Sequence, residues 1–457
     1  MTGSPVPVFP AVSLRGVHLD LKGFPPELDR LIELLDVIAA ARYNVLLVEW
    51  EDMFPWTVDI RFRGETAYSP EQVKRFHEEA FARGLEIIPL VQCLGHMETP
   101  LSVPGYESLR EVSDRADVLN VLAPGAGDLI ARMVDDVLTL CPDVRRFHLG
   151  GDEAWTFGTH PDTRTFAEQH GKDRLYLQHV EPVLDRLIAQ NIRPILWHDM
   201  MVSWTSPQLR RLAEKTDLMV WGYQGHPDRI SPESHGHRRH IDRLAEHGFR
   251  LWCAGGFKGC DGLTSDLPVF SARRENALAW MDLHQTLGFI GAIATGWSRY
   301  YTTSPQCDPI DASLDTLIDL GCIFHDGVPM PGGASGCAAW LHAHGEGERF
   351  ERCVAALRNL SDARTKGWAH IHSLRHILAT GEQGPRRRAG LRTDHPFQFL
   401  HLHIQEAHQA ADRIRIAFQG RVSPLWVERY LDERIRPMVE ELAEITRRLN
   451  EWDASAF

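Results

Sequence analysis

The sequence predicts an α/β chain, a (β/α)8 TIM barrel followed by an all-helical region. Up to about residue 300, eight short apolar runs alternate with longer amphipathic stretches, the pattern of parallel strands joined by crossover helices. After Ser304-Pro305 only helical periodicity continues. A chain of 457 residues also suits a large barrel with an appendage.

The predicted strands, in order, are Leu14–Leu21, Asn44–Glu49, Glu86–Val91, Arg145–Gly150, Pro194–Trp197, Asp217–Trp221, Arg250–Ala254 and Gly291–Thr295. Each is apolar and short enough for a strand buried on both faces. Between the first two, Pro26–Ala41 reads as a helix whose prolines suit its first turn. Ser69–Arg83 is a second, with Ser69 as N-cap, Pro70 at N1, Gln72 at N3 and Gly84 as the stop. Past the barrel, periodic segments near 311–323, 347–380, 395–419 and 423–452 are separated by Gly/Pro-rich joints such as Pro329 to Gly336. The expected division is a catalytic barrel over 1–310 and a helical region over 311–457 that packs on it and offers a homodimer surface. Histidines 342, 344, 370, 372, 376, 401 and 403 lack Cys or carboxylate partners at ligand spacing and read as solvated or core residues.

The formal net charge is −13, and the acid excess falls in the barrel residues. That argues against nucleic acid as a partner, and the longest basic run is only Arg386-Arg387-Arg388. No run approaches the roughly 20 apolar residues that span a bilayer. Met1-Thr2-Gly3-Ser4-Pro5 lacks the basic and apolar regions of a signal peptide. A cytoplasmic protein with no membrane partner is expected. The eight cysteines show no CxxC spacing and read as reduced, mostly buried thiols.

In such a barrel the active site lies at the C-terminal strand ends. Those ends carry Asp20-Leu21-Lys22, Glu49-Trp50-Glu51-Asp52, Gln92 to His96, Gly151-Asp152-Glu153, Trp197-His198-Asp199, Trp221-Gly222-Tyr223, Phe257-Lys258 and Trp297-Ser298-Arg299. Polar and aromatic groups thus converge on one rim, where a purely structural barrel would have ordinary turn residues. The richest end is Phe147-His148-Leu149-Gly150-Gly151-Asp152-Glu153-Ala154-Trp155. Cleaving a glycosidic bond requires protonation of the leaving oxygen and stabilisation of an oxocarbenium-like centre, the work of two carboxyl groups. Successive strand residues face opposite ways, so Asp152 and Glu153 both reach one pocket only if the chain turns at Gly150-Gly151. Neighbouring carboxylates leave little room for separate nucleophile and acid roles. Attack by a substrate's own 2-acetamido oxygen removes that difficulty.

His148-Leu149-Gly150-Gly151-Asp152-Glu153 resembles the signature of glycoside hydrolase family 20, the β-N-acetylhexosaminidases, and the resemblance covers roughly residues 11–305. Within the family the chain looks most like the hexosaminidase D group, with similar wording at Val17-His18-Leu19-Asp20-Leu21-Lys22-Gly23, Glu51-Asp52-Met53-Phe54-Pro55, Ile88-Pro89-Leu90-Val91-Gln92, Phe257-Lys258-Gly259 and Thr295-Gly296-Trp297. The resemblance implies a retaining exo-β-N-acetylhexosaminidase acting on terminal β-linked GalNAc or GlcNAc of a glycan or glycoside, through an oxazolinium intermediate and with no cofactor or metal. It makes Glu153 the general acid and then base, its proton held by repulsion from Asp152, and Asp152 the partner of the acetamido group. It makes Arg15 the grip on the sugar 3- and 4-hydroxyls, and His96 with Glu51, or Asp52 in its place, the groups that tune the acid. Asp199 is a further supporting carboxylate. His148 is either a packed barrel histidine or a member of that network. Trp197, Trp221 and Trp297 are expected to enclose the sugar and its N-acetyl methyl.

Four departures from the family stand out. Gln92 replaces the family's acid, which predicts a rewired relay through His96. The tyrosine expected after strand seven is missing, and Tyr223 is the substitute. Arg299 stands near where a Glu reads the 4- and 6-hydroxyls, which leaves the epimer open. The short lead before strand one predicts no N-terminal accessory domain. Two other classes compete: a metal-dependent barrel hydrolase or isomerase using Asp20, Glu49, His148, Asp152, His198 and Asp199, and a sugar-binding protein without catalysis. Against the first, no proposed strand carries His-x-His.

Overall fold

The computed structural model describes residues 11–381 and 391–454. The signal-peptide reading at Met1-Thr2-Gly3-Ser4-Pro5 and the Arg386-Arg387-Arg388 run lie outside the described residues. Strands β1 (Leu14–Asp20), β2 (Val45–Glu49), β3 (Glu86–Leu90), β6 (Arg146–His148), β7 (Arg193–Trp197), β8 (Asp217–Trp221), β9 (Leu251–Lys258) and β10 (Gly291–Gly296) form a closed parallel barrel. Their order around it is β1-β10-β9-β8-β7-β6-β3-β2. All eight predicted runs are strands. The other two, β4 (Arg110–Val112) and β5 (Arg115–Leu119), form an antiparallel hairpin between β3 and β6 that the sequence reading did not foresee.

Helices α1 (Leu28–Ala40), α2 (Pro70–Ala82), α3 (Glu98–Leu101), α4 (Ala126–Leu140), α5 (Pro161–His170), α6 (Lys172–Ala189), α7 (Ser206–Ala213), α8 (Arg238–Glu246) and α9 (Phe270–Leu287) lie between the strands. The start of α2 is as the sequence dictates: the Ser69 side chain accepts from the Gln72 amide, the Gln72 side chain accepts from the Ser69 amide, and Pro70 occupies the first turn. Inward-facing Val45, Leu47, Ile88, Leu90, Ile195, Trp197, Met219, Trp252 and Ile293 fill the barrel as their own apolar cluster. The outward faces join the helices in a second, larger core.

Beyond the barrel run α10 (Leu314–Asp326), α11 (Ala334–Ala343), α12 (Gly347–Gly381), α13 (Asp394–Phe418) and α14 (Pro424–Ala454). Helix α10 packs on α9 and against β1, β9 and β10, the position of an eighth barrel helix. Helix α11 begins inside the stretch read from sequence as a joint, where Gly332 and Gly333 turn the chain with positive φ. The other three pack on one another, and buried ion pairs tie this region to the barrel. Arg30 of α1 binds Asp311 at 2.7 Å and Glu346 at 2.9 Å. Asp266, in the loop between β9 and α9, accepts bonds from Arg364, Tyr430 and Arg434. None of the helices described is long and apolar enough to cross a membrane.

Candidate active site

The catalytic end is built around the turn after β6. Gly150 and Gly151 have φ of +60° and +83°, and a Cβ on them would lie 1.8 Å from Gln92 Oε1 and 2.2 Å from the Tyr176 hydroxyl. Only glycine fits either place, and the turn brings Asp152 and Glu153 within reach of one imidazole, that of His96. Glu153 itself holds φ of +47°, a conformation costly for a side-chain-bearing residue. Its amide donates to Asp199 Oδ2 at 2.9 Å, and Asp199 Oδ1 faces the Trp221 indole N–H at 3.4 Å.

Asp152 is buried, and its Oδ1 has no hydrogen-bond partner among the described residues. Glu153 is more open, its side chain about 26% exposed. His96 Nε2 sits 3.6 Å from Asp152 Oδ2 and 3.5 Å from Glu153 Oε2, at ion-pair range to both. Burial opposes a charge on His96, but Asp152, with help from Glu153 and Glu98, raises its pKa well above the usual range. The carboxylate pair thus has its own cation. Burial, then the Asp152 charge, pushes Asp199 up to about 7.

On the β1–β2 side a buried charge cluster sits beneath the rim. Lys22 Nζ lies 2.9 Å from Asp20, 3.5 Å from Glu49 and 4.0 Å from Glu51, and 5.1 Å from the Trp297 ring centre. His18 Nε2 meets Glu49 Oε2 at 3.2 Å. Gln92 bridges this cluster to the catalytic turn, donating to Glu49 Oε1 at 3.2 Å and accepting from the Gly151 amide at 3.3 Å. Burial together with Glu49, Asp20 and Asp52 pushes Glu51 up to about 8 against the pull of Lys22. Its Oε2 accepts from Thr302 at 3.0 Å, whereas Oε1 has no hydrogen-bond partner among the described residues.

The opposite wall is aromatic. Trp221 stacks on Tyr223 at 5.4 Å, Tyr223 meets Trp297 edge-on at 6.2 Å, and Trp297 lies 6.1 Å from Trp197. His148 packs 4.4 Å from Trp197, and burial lowers its pKa to about 3, as expected of a neutral core imidazole. His235, which no sequence pattern singles out, lies 3.9 Å from Trp221.

A pair of carboxylates, a cationic imidazole and three clustered indoles at a TIM-barrel rim form a sugar-cleaving arrangement, and comparison with known proteins identifies the lineage. Residues 13–239 match the model of the glycosyl hydrolase family 20 catalytic domain. Hexosaminidase D of Bos taurus is 33% identical over 327 residues, covering 68% of this chain and 92% of that protein. The chain belongs to glycosyl hydrolase family 20. It is therefore a glycosidase. Hexosaminidase D of Homo sapiens is 33% identical over 315 residues, 66% of this chain and 64% of that protein's length. The fold is shared with a β-N-acetylhexosaminidase from Bacteroides fragilis NCTC 9343, at TM-score 0.55 and 17% identity over 74% of this chain and 72% of that one. The Flavobacterium johnsoniae chitobiase aligns with 98% of this chain and 73% of its own, at TM-score 0.53 and 15% identity.

Set against the family-20 expectations, most site residues converge, with two corrections. Asp152, Glu153, His96, Asp199, Trp197, Trp221, Tyr223 and Trp297 form one connected set of contacts, and His148 packs on Trp197. Arg15 does not join them. It is the second residue of β1, at the opposite end of the barrel, where its guanidinium donates to the carbonyls of Arg42, Val12 and Ser13. The cation at the catalytic end of β1 is Lys22. Arg299 is also turned away: it donates to the Thr302 carbonyl, lies 5.3 Å over the Trp426 ring and faces Glu433 of α14 at 3.8 Å. Of the two acids after β2, Glu51 shares a small cavity with His96, while Asp52 abuts Gly64 and faces the Arg299 charge. Gln92 is wired to Glu49 and the Gly151 amide as described, and His96 reaches the carboxylates directly. Among the described residues no group of three or more His, Cys, Asp or Glu side chains is placed to hold a metal ion. Lys22 occupies the space between Asp20 and Glu49.

Proposed function

We propose that this family-20 glycosidase removes terminal β-linked N-acetylhexosamine by a retaining, substrate-assisted reaction. The observation that carries the reading is Asp152 Oδ1, a buried carboxylate oxygen without a hydrogen-bond partner among the described residues, beside a more exposed Glu153. Such an atom costs stability unless a ligand donor satisfies it, and an acetamido N–H is that donor. The acetamido oxygen attacks C1 while the bond from C1 to the leaving oxygen breaks and Glu153 gives that oxygen its proton. The resulting oxazolinium is positive, and Asp152 offsets its charge. Glu153, now a carboxylate, takes a proton from water, which attacks C1, reopens the ring and restores the β configuration.

Tyr223, edge-on to Trp297 within the aromatic wall, offers its hydroxyl to the acetamido oxygen. Lys22, with its carboxylate partners, takes the hydroxyl-gripping role first assigned to Arg15. The names of the bovine and human relatives support the hexosaminide class.

The test is release of p-nitrophenol from the β-N-acetylgalactosaminide and the β-N-acetylglucosaminide by wild type and Glu153→Gln, with and without EDTA. Chelator-insensitive turnover that falls by about two to four orders of magnitude in the variant is the expected result, and the ratio of substrates fixes the epimer. A wild type inert toward both overturns the proposal.

A further inference from the structure

The helical region reaches the carboxylate pair through one loop, residues 297–309, between β10 and α10. Its base is fixed to the barrel. The Ser298 amide donates to Asp20 Oδ2 and the Ser298 hydroxyl to the Asp20 carbonyl, both at 2.7 Å, and the Cys307 amide closes onto the Ser298 carbonyl at 2.8 Å. At the tip, the Thr302 hydroxyl donates to Glu51 Oε2 at 3.0 Å, and Tyr301 stacks on His96 with ring centres 6.0 Å apart. Both contacts fall on groups next to the acid: Glu51 shares a small cavity with His96, and His96 Nε2 stands 3.5 Å from Glu153 Oε2.

What holds the tip comes from outside the barrel. Arg299 Nη1 donates to the Thr302 carbonyl at 2.6 Å, and the same guanidinium lies 5.3 Å over the Trp426 ring and 3.8 Å from Glu433 Oε1, both on α14. Glu433 Oε2 accepts from the Gln306 amide at 2.8 Å, and Arg434 Nη2 donates to the Gln306 carbonyl at 2.6 Å. Glu433 thus grips the loop on both sides of its tip, one oxygen to each. The start of α14 is itself docked beside Glu51: the Trp426 indole N–H donates to Thr66 Oγ1 at 2.6 Å, and Arg429 binds Glu65 at 3.1 Å, both in the segment after β2. Ordering a loop tip costs conformational entropy at each residue, and these outside bonds offset it.

We infer that Glu433 is a positioning residue for the glycosidase: from α14, through Arg299 and Gln306, it keeps Thr302 on Glu51 and Tyr301 on His96. The inference rests on the hexosaminidase reading above and gives the helical region a part in that reaction.

The experiment compares kcat and KM on the preferred p-nitrophenyl N-acetylhexosaminide for wild type, Glu433→Ala, Glu433→Gln, Arg299→Gln, Thr302→Val and the Glu433→Ala/Thr302→Val double variant. Glu428→Ala, on the same helix but paired with Arg415 at 2.7 Å, reports the effect of weakening α14 alone. The expected result is a kcat lower by about tenfold in Glu433→Ala and in Arg299→Gln, with KM within about twofold. Glu433→Gln, which keeps an acceptor for the Gln306 amide, recovers most of the loss, and Glu428→Ala keeps wild-type kcat. The double variant falls no further than the weaker of its two single variants, because both break one chain of contacts. Arg299→Gln reaches that chain from the loop and decides the matter even where Glu433→Ala does not fold. Wild-type kcat in Arg299→Gln or Glu433→Ala, an equal fall in Glu428→Ala, or losses that multiply in the double variant overturns the positioning role alone. A wild type inert toward N-acetylhexosaminides overturns the hexosaminidase reading, and this role with it.

Discussion

The two ends of this barrel use similar residues to opposite effect. At the floor, charges are paired off: Arg15 is spent on three backbone carbonyls, Arg146 holds Glu86 at 2.6 Å, and Arg193 holds Asp217 at 2.7 Å. At the rim, buried polar atoms wait. Asp152 Oδ1, Glu51 Oε1, Asp52 Oδ1 and the Trp197 indole nitrogen have no hydrogen-bond partner among the described residues. Folding alone favours the first arrangement, since an unsatisfied buried group costs about 1–3 kcal/mol. The rim tolerates that cost at several atoms, which marks it as the end shaped for a ligand.

Three substitutions test that contrast. Lys22→Met strips the ammonium that sits among Asp20, Glu49 and Glu51 and should be the most damaging, lowering kcat/KM on the preferred p-nitrophenyl glycoside by about 100-fold and the melting temperature as well. A variant with full activity would remove Lys22 from the site. Asp199→Asn has a smaller effect, read in the pH profile of stability. The folded-state pKa of Asp199 is raised to about 7 by burial and by Asp152. Its contribution is therefore complete below the unfolded value near 3.9 and is lost as pH rises through about 7. Between pH 6 and 8 the wild-type melting temperature should fall by about a degree or two more than that of Asp199→Asn, and parallel profiles would refute the assignment. Arg15→Met should be mildest at the active site, changing kcat/KM less than about twofold while lowering the melting temperature by a few degrees. Collapse of activity at unchanged stability would break the contrast between the ends.

Much of this was legible because strand, cap and turn signals are local. The eight strands, the Ser69 capping box and the Gly150-Gly151 turn follow from residues within a few positions of one another. Arg15 was misplaced although the strand limits were sufficient to exclude it: it lies five positions before Asp20, and at about 3.3 Å per residue the rim is some 16 Å away. Lys22 stood at the correct end, in the Val17–Gly23 motif. Arg299 is a different case. Its partners, Trp426 and Glu433, lie more than a hundred residues further on, and local pattern carries no trace of such a pairing. The hairpin was missed for a similar reason, because its two short strands lack a long alternating run.

Asp266 shows what α14 does for the catalytic end. All eight barrel strands precede α14 in the chain, yet the loop after β9 ends in a buried carboxylate neutralised by Arg434 of α14 and Arg364 of α12. Burial pushes its pKa up, but Arg434 and Arg364 outweigh that and hold it below the usual carboxylate range. A chain cut short before α14 keeps the acid and Arg364 but loses Arg434 and Tyr430, two of the three side chains that donate to it. During synthesis on the ribosome, the mouth of the barrel therefore acquires its final shape only after a stretch made later than all eight of its strands has folded back onto it.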